Sequence, residues 1–352
     1  MRGMGFWIAV SLLVLGCTAK GWSAEGTAAG ASVARSPEAA HVDPQLEQAL
    51  VAEDWEQVLA RAEAWRQREP DSVLAGYIVG KAYSCLGEPQ RMLWPWDPLD
   101  VAWVWHREQI RPLAEWARNL ASRHPASPIA WSMLSNLLMF SGDEEGCLKA
   151  AERAAALAPH DGYHLMVRGG AHYNAGNYDE AVRDCTSALG LRPDLAEAYL
   201  VRGWAYGDKK EREKALADFT AAIELVPDYL NAYYWRGDLY LRRREPDQAL
   251  AEFDKIIALE PSCAWPYWAR AIAHYLRRDY ARAVADVTTY VETFPMDAEA
   301  WFQKARACRQ AGRTEDAMDA LHRFVALAPE AGLSWRIPEA QVLLRELGDQ
   351  VR

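Results

Sequence analysis

The sequence lacks the short motifs that mark the common enzyme classes. None of the patterns G-x-S-x-G, G-x-x-x-x-G-K-[ST], G-x-G-x-x-G or H-E-x-x-H occurs among its 352 residues. These patterns carry a nucleophile elbow, a phosphate loop, a dinucleotide-binding turn and a zinc-protease helix. Six cysteines are present, but no two have the C-x-x-C spacing of a zinc or redox site. We therefore predict a protein that is not an enzyme and that holds no metal and no cofactor.

Positive charge is also scarce. The chain has 39 Lys and Arg against 49 Asp and Glu, a formal net charge of -10. Nucleic-acid binding requires a basic face that releases counterions from the phosphates, so no nucleic-acid partner is expected. Tryptophan, in contrast, is abundant, with 16 Trp against 7 Phe. Its large flat ring and polar N–H suit half-buried binding surfaces.

The N-terminus has an apolar run that is too short to cross a bilayer. From Phe6 to Leu15 the run is about 15 Å long as a helix, against about 30 Å of hydrocarbon. A positive charge precedes it, which is the layout of a signal peptide over residues 1–17. The run is followed by V-L-G-C, which resembles the lipobox of bacterial lipoproteins.

The lipobox resemblance implies that Cys17 is lipidated and becomes the first residue of the mature chain. Because Thr18 is not Asp, the resemblance further implies the periplasmic face of the outer membrane. The alternative is a secreted or periplasmic protein cut near Ala19 or Ala24, with Cys17 removed. Residues 18–38 are rich in Gly, Ala, Ser and Thr, so we predict a flexible tether there.

Prolines recur at a fixed interval of 34 residues through most of the chain. Self-similarity at this period indicates a stack of identical two-helix units, each ended by a proline that cannot continue a helix. The series comprises Pro125, Pro159, Pro193, Pro227, Pro261, Pro295 and Pro329.

Residues between the prolines resemble the tetratricopeptide repeat (TPR) pattern of aromatic, small and closing positions. The resemblance implies an all-α solenoid of helical hairpins in a right-handed superhelix, with a C-terminal capping helix. In layout the chain resembles bacterial outer-membrane TPR lipoproteins. The best-matching repeats contain Tyr199, Gly203, Tyr206, Ala215, Phe219, Ala222 and Pro227, then Tyr233, Gly237, Tyr240, Ala249, Phe253 and Pro261.

The proline period also divides the chain. We predict a divergent repeat at 39–70, a repeat with an insertion at 71–127, six regular repeats at 128–331, and a cap and tail at 332–352. The insertion, at about 88–111, is rich in Trp and Pro. It either folds back onto its own repeat or presents a docking patch.

Aromatic residues recur at positions two, five, nine and twelve of the first helices, a face that commonly binds ligands in TPR proteins. They either line a groove for a peptide or sugar chain, or pack against the next repeat. We predict a protein-interaction scaffold of the cell envelope with a protein or peptide partner, or alternatively a glycan- or peptidoglycan-binding envelope protein. The candidate residues are Trp204, Tyr234, Trp268, Phe302, Tyr163 and Trp265.

Cations also recur with the repeat. Arg168, Arg202, Arg236 and Arg270, with Lys304 in the last repeat, either pair with acidic neighbours or point at a ligand. Other cations lie at the hairpin turns, where they either cap helix ends or face an anionic partner. For the histidines near Pro159, no thiolate or carboxylate pattern completes a metal site.

Overall fold

The protein is described by a computed structural model that covers residues 42–69, 72–86 and 103–351. The signal peptide, Cys17, the tether and most of the insertion lie outside the described residues. All regular structure within the described ranges is helical, which confirms the all-α repeat fold. In the same ranges, no helix has the length and apolar character needed to span a bilayer.

Seventeen α-helices follow one another along the described part of the chain, most of them as antiparallel hairpins. Helices α5 to α16 form six such hairpins, and α17 follows a short 3-10 turn at Ser334–Arg336. The helices are α1 Pro44–Val51, α2 Trp55–Arg68, α3 Val73–Cys85, α4 Trp103–Arg123, α5 Pro128–Ser141, α6 Glu144–Leu157, α7 Gly162–Asn174, α8 Tyr178–Leu191, α9 Ala196–Asp208, α10 Arg212–Leu225, α11 Leu230–Arg242, α12 Pro246–Leu259, α13 Trp265–Leu276, α14 Tyr280–Thr293, α15 Ala298–Gln310, α16 Thr314–Leu327 and α17 Ile337–Val351.

Helix α4 begins earlier than the sequence suggested. We expected the inserted segment to reach about Arg111, with a helix resuming near Pro112. The helix instead begins at Trp103 and carries Pro112 in its interior. Proline there supplies no N–H to the helix, so the helix has one backbone hydrogen bond fewer at that turn.

The same backbone conformation recurs in the hairpin turns. A residue with positive φ ends each first helix from α5 onward, a conformation that Gly adopts freely and other residues adopt at a cost of about 1 kcal/mol. Three of these turns use Lys or Arg. The basic residues beside them, such as Lys209 and Arg277, pair with the acids Asp179 and Asp247 at 2.6 and 3.1 Å. These contacts support a structural role for the turn cations. The positive-φ positions are Gly142, Gly176, Lys210, Arg244, Arg278 and Gly312.

The described chain divides into two compact units. The N-terminal unit ends at Ala232, and the C-terminal unit begins at Tyr233. The N-terminal unit has one core that includes residues of α1 to α9. In the C-terminal unit, helices α15 to α17 share a core that contains Phe302 and Phe324.

In the best-matching repeats, the two helices of each hairpin make a close contact at a glycine. A Cβ atom on Gly203 would lie 2.5 Å from the Phe219 ring, and one on Gly237 would lie 2.7 Å from the Phe253 ring. The three atoms nearest to a Cβ on Gly203 all belong to the Phe219 ring, and none belongs to Ala215. In the last two repeats the glycine is replaced by Ala, and the ring by Val287 or Leu321. In these four repeats a larger residue on the first helix therefore accompanies a smaller side chain on the second, as close helix packing requires.

This steric fit predicts that Gly203→Ala destabilises the protein by about 1 to 3 kcal/mol, because the added methyl overlaps the Phe219 ring. Phe219→Leu in the same chain should restore most of the loss, since Ala305 and Leu321 already coexist in the last repeat. Urea unfolding followed by circular dichroism measures both changes.

Gly207→Ala is the matched control, because a Cβ at Gly207 on the same helix meets no atom within 4 Å. That substitution should leave the protein as stable or stabilise it slightly, since Ala favours helix. Equal effects of the two glycine substitutions would contradict the proposed fit.

Candidate functional site

The recurrent arginines form a series of ion pairs with buried acids. Arg202 donates from Nε and Nη2 to the two carboxylate oxygens of Asp218 at 2.9 and 2.7 Å. That hydrogen bonding raises the pKa of the Arg202 guanidinium. Because an acid is held at the same place in each of these repeats, we assign these arginines to structure and not to a ligand. The other pairs are Arg168–Asp184, Arg236–Glu252 and Arg270–Asp286.

The series ends in the last repeat. Lys304 occupies the arginine position, and Ala320 occupies that of the acid. Among the described residues Lys304 forms no ion pair, and its Nζ lies 5.1 Å from the centre of the Trp301 ring. A surface groove of about 560 Å³ opens beside it, lined also by Asp316, Asp319, His322 and Arg323. In the last repeat the cation at the arginine position therefore lacks the ion pair that the earlier repeats have.

Most of the aromatic residues predicted to bind a partner are buried. Five of the six have less than a tenth of their surface exposed. Their burial does not support direct contact with a ligand. The sixth, Trp204, is half-buried, with its ring 5.8 Å from that of Tyr173. The exposed fractions are 6% for Tyr163, 4% for Tyr234, 3% for Trp265, 4% for Trp268 and 0% for Phe302.

In the N-terminal unit, helix α3 covers Tyr163. The Lys81 Nζ lies 3.7 Å from the centre of the Tyr163 ring, and Asn136 donates to the Tyr163 hydroxyl at 3.4 Å. The Tyr77 hydroxyl donates to the Met133 carbonyl at 3.5 Å. The chain's own helix therefore occupies the surface that we expected to bind a partner at this position.

In the C-terminal unit, the rings pack on one another or under the cap. The Tyr234 and Trp265 rings meet edge to face at 4.8 Å, and the Trp268 and Tyr290 rings lie 5.3 Å apart. In these contacts the aromatic residues pack on one another, as in the alternative interpretation of the pattern.

Phe302 is covered from the end of the chain. The Arg336 guanidinium carbon lies 3.9 Å from the centre of its ring, and Arg336 also pairs with Glu299 one turn earlier on α15. The same guanidinium lies 5.5 Å from the ring of Trp335, which is 72% exposed. The cap thus buries one aromatic ring and presents another to solvent.

An apolar surface remains open on α13 of the C-terminal unit, where Arg306 of α15 lies over one of its rings. Ile272 and Tyr275 are half-buried, and Leu276 is 42% exposed. The exposed Arg306 lies over the Tyr275 ring at 5.4 Å and bonds to the Gln303 side chain at 3.2 Å. Arg306 forms no ion pair with any described residue. We call Ile272, Tyr275, Leu276 and Arg306 the arginine–aromatic patch.

The patch was largely missed by sequence reasoning, although a signal was present. Leu276 stands where earlier repeats have polar residues at the same spacing, namely Asn174, Asp208 and Arg242. Leu276 is a signal of this kind only together with its neighbours Ile272 and Tyr275, because contiguous exposed apolar residues mark interaction sites and single ones do not. Tyr275 belongs to the predicted aromatic series, but it was not among the six preferred residues.

Hairpins with a 34-residue period and small residues at the contact between their two helices define a helical-repeat protein. The chain belongs to the tetratricopeptide repeat family, whose model matches residues 132–196, 200–262 and 269–332. No curated protein matches the sequence.

Two solved structures show the same fold. The APC/C hetero-tetramer Cut9-Hcn1 has a chain of 15% identity that aligns with 83% of this chain with a TM-score of 0.58. This chain spans about half of that one, 52%. The pilF protein of Pseudomonas aeruginosa is 18% identical, with 63% of this chain and 99% of that one covered and a TM-score of 0.53. At these identities the likeness shows the fold alone.

Proposed function

We propose that this chain is a non-enzymatic scaffold whose arginine–aromatic patch binds a protein segment. TPR proteins generally mediate protein–protein interaction, and the patch is the observation that supports this role here. It combines the exposed side chain of Leu276 with a cation that no acid of the described chain neutralises. Tyr and Arg side chains of this kind commonly dominate binding energy at protein interfaces.

The composition of the patch favours an extended peptide over a glycan. Sugar rings stack on exposed aromatic faces, but the rings of Tyr234, Trp265, Trp268 and Phe302 are turned into the interior. Leu276 and Ile272 offer an aliphatic surface, and Arg306 offers a guanidinium fork for a carboxylate. The preferred partner is therefore a segment with an apolar residue near an acidic one.

A selection from a random peptide library on the immobilised protein tests this proposal. We expect the enriched peptides to combine apolar and acidic residues. Leu276→Glu and Arg306→Glu should each weaken binding of the best peptide at least about tenfold, because each removes a central contact or adds a like charge. Fluorescence polarisation gives the dissociation constants.

Leu259→Glu is the control, since Leu259 is 38% exposed but lies at the end of α12, outside the patch. This variant should bind as the unchanged protein does. Equal binding by the patch variants would contradict the proposal, as would selective binding of peptidoglycan fragments in a parallel calorimetric titration.

We also propose that the scaffold is held in the cell envelope through lipid on Cys17. The support is the V-L-G-C sequence after a short apolar run. Multiple acyl chains give stable membrane attachment, whereas one chain is marginal. The following tether would keep the folded repeats close to the bilayer, with a reach of roughly 20 to 25 Å for a flexible chain of this length.

Cys17→Ser should abolish incorporation of a labelled fatty acid and release the protein from the membrane fraction of a two-membrane bacterium. Thr18→Ser, next to it, should change neither. A chain that incorporates no label, or that leaves the membrane in soluble form without any substitution, would show that Cys17 is not an anchor.

A further inference from the structure

Three side chains of types that can bind a metal ion come together in the N-terminal unit from distant parts of the sequence. Glu53 lies in the turn between α1 and α2, while Asp161 and His164 lie at the start of α7. One ligand atom from each lies within 4.8 Å of the others. Sequence patterns do not indicate this cluster, because Glu53 belongs to the first hairpin and the other two belong to the fourth.

His164 is placed as metal-binding histidines are. Its side chain is 1% exposed, and its Nδ1 lies 2.8 Å from the Ser132 hydroxyl oxygen. A histidine that binds metal through one ring nitrogen is usually oriented by a hydrogen bond at the other. Nε2 is turned toward the cluster and lies 3.7 Å from the Glu53 Oε1, which is longer than a hydrogen bond.

The repeat pattern does not require a histidine at this position. The corresponding residues of neighbouring repeats are small and apolar, with Ala130 before it and Ala198 after it, and both are fully buried. An imidazole in place of a methyl group brings a polar ring into the interior, where its nitrogens need partners. Ser132 is the partner of Nδ1, and a bound ion would give Nε2 a partner closer than Glu53 Oε1 at 3.7 Å.

The two carboxylates are also positioned to act as ligands. Asp161 caps α7, with Oδ1 accepting from the Tyr163 amide at 2.7 Å, which leaves its second oxygen for another partner. Glu53 has a positive φ of 56°, and its side chain is about one third exposed, at 32%. The site is therefore anchored at its buried end and open to solvent at the carboxylates.

We propose that Glu53, Asp161 and His164 bind a divalent transition-metal ion, with zinc the preferred ion and water as the remaining ligand. Imidazole suits zinc and its neighbours, whereas magnesium and calcium prefer oxygen ligands alone. Ligand atoms at about 2.1 Å from a tetrahedral zinc lie about 3.4 Å apart, close to the distance between His164 and Glu53. A small rotation of the partly exposed Glu53 side chain would bring the three ligand atoms to these distances.

The site would fasten the first hairpin to the fourth. Helix α1 is already held near the end of α4, where the Glu47 carboxylate lies 2.8 Å from the His124 Nε2 and also pairs with Arg123. Metal at the other end of α1 would fix both ends of that helix. The N-terminal helices, including the α3 that covers Tyr163, would then depend on metal for part of their stability.

Calorimetric titration of the chelator-treated full chain with zinc chloride tests the proposal. We expect one site of micromolar or tighter affinity, and a melting temperature that rises when zinc is added. His164→Ala and Glu53→Gln should each weaken that binding at least about tenfold. Asp161→Asn should do the same while keeping the helix cap, because Asn is an equally good capping residue.

His160→Ala is the matched control, since His160 is exposed and lies just before Asp161 but outside the cluster. It should bind zinc as the unchanged chain does. The absence of zinc binding, undiminished binding in both Glu53→Gln and Asp161→Asn, or an equal loss in His160→Ala would each overturn the proposal. If His164→Ala does not fold, the two carboxylate variants decide the question, because their positions are partly exposed.

Discussion

The structure depends on one steric constraint, the contact between a small residue on the first helix of a hairpin and a larger side chain on the second. Where Gly203 and Gly237 stand, the large partner is a phenylalanine ring, and where Ala305 stands, it is Leu321. Close approach at this one point sets the separation and angle of each helix pair. Each unit must end in a position from which the next unit can pack in the same way. This requirement gives the units a common length of 34 residues.

Once that spacing is fixed, the remaining positions of each hairpin serve different purposes. Ion pairs such as Arg270–Asp286 occupy one side, and rings such as Trp268 and Tyr290 fill another. Removing the arginine of such a pair leaves its carboxylate buried and uncompensated, which destabilises the fold. A few positions take part in neither side-chain packing nor ion pairing, and these can contact a partner. Leu276 and Arg306 are among them.

Much of the fold was predictable from the sequence, because the constraints that produce it are local. The closing prolines and the Gly203 and Phe219 pattern lie within one repeat, so their spacing alone indicates the hairpins. The candidate site was less predictable. Tyr163 is covered by α3 and Phe302 by Arg336, so the burial of either ring cannot be predicted without knowing where its partner lies. Both contacts join residues remote in sequence, and periodicity within one helix carries no information about them.

The claim that whole hairpins are the units of this fold is tested most directly by comparing two deletions in urea unfolding. Removal of residues 196–229 takes out one complete period and joins equivalent positions. Removal of residues 212–228 takes out α10 alone and leaves α9 without its partner. The account predicts that the larger deletion keeps a cooperative transition and most of the stability, whereas the smaller one loses more. A smaller deletion that is the less damaging of the two would contradict it.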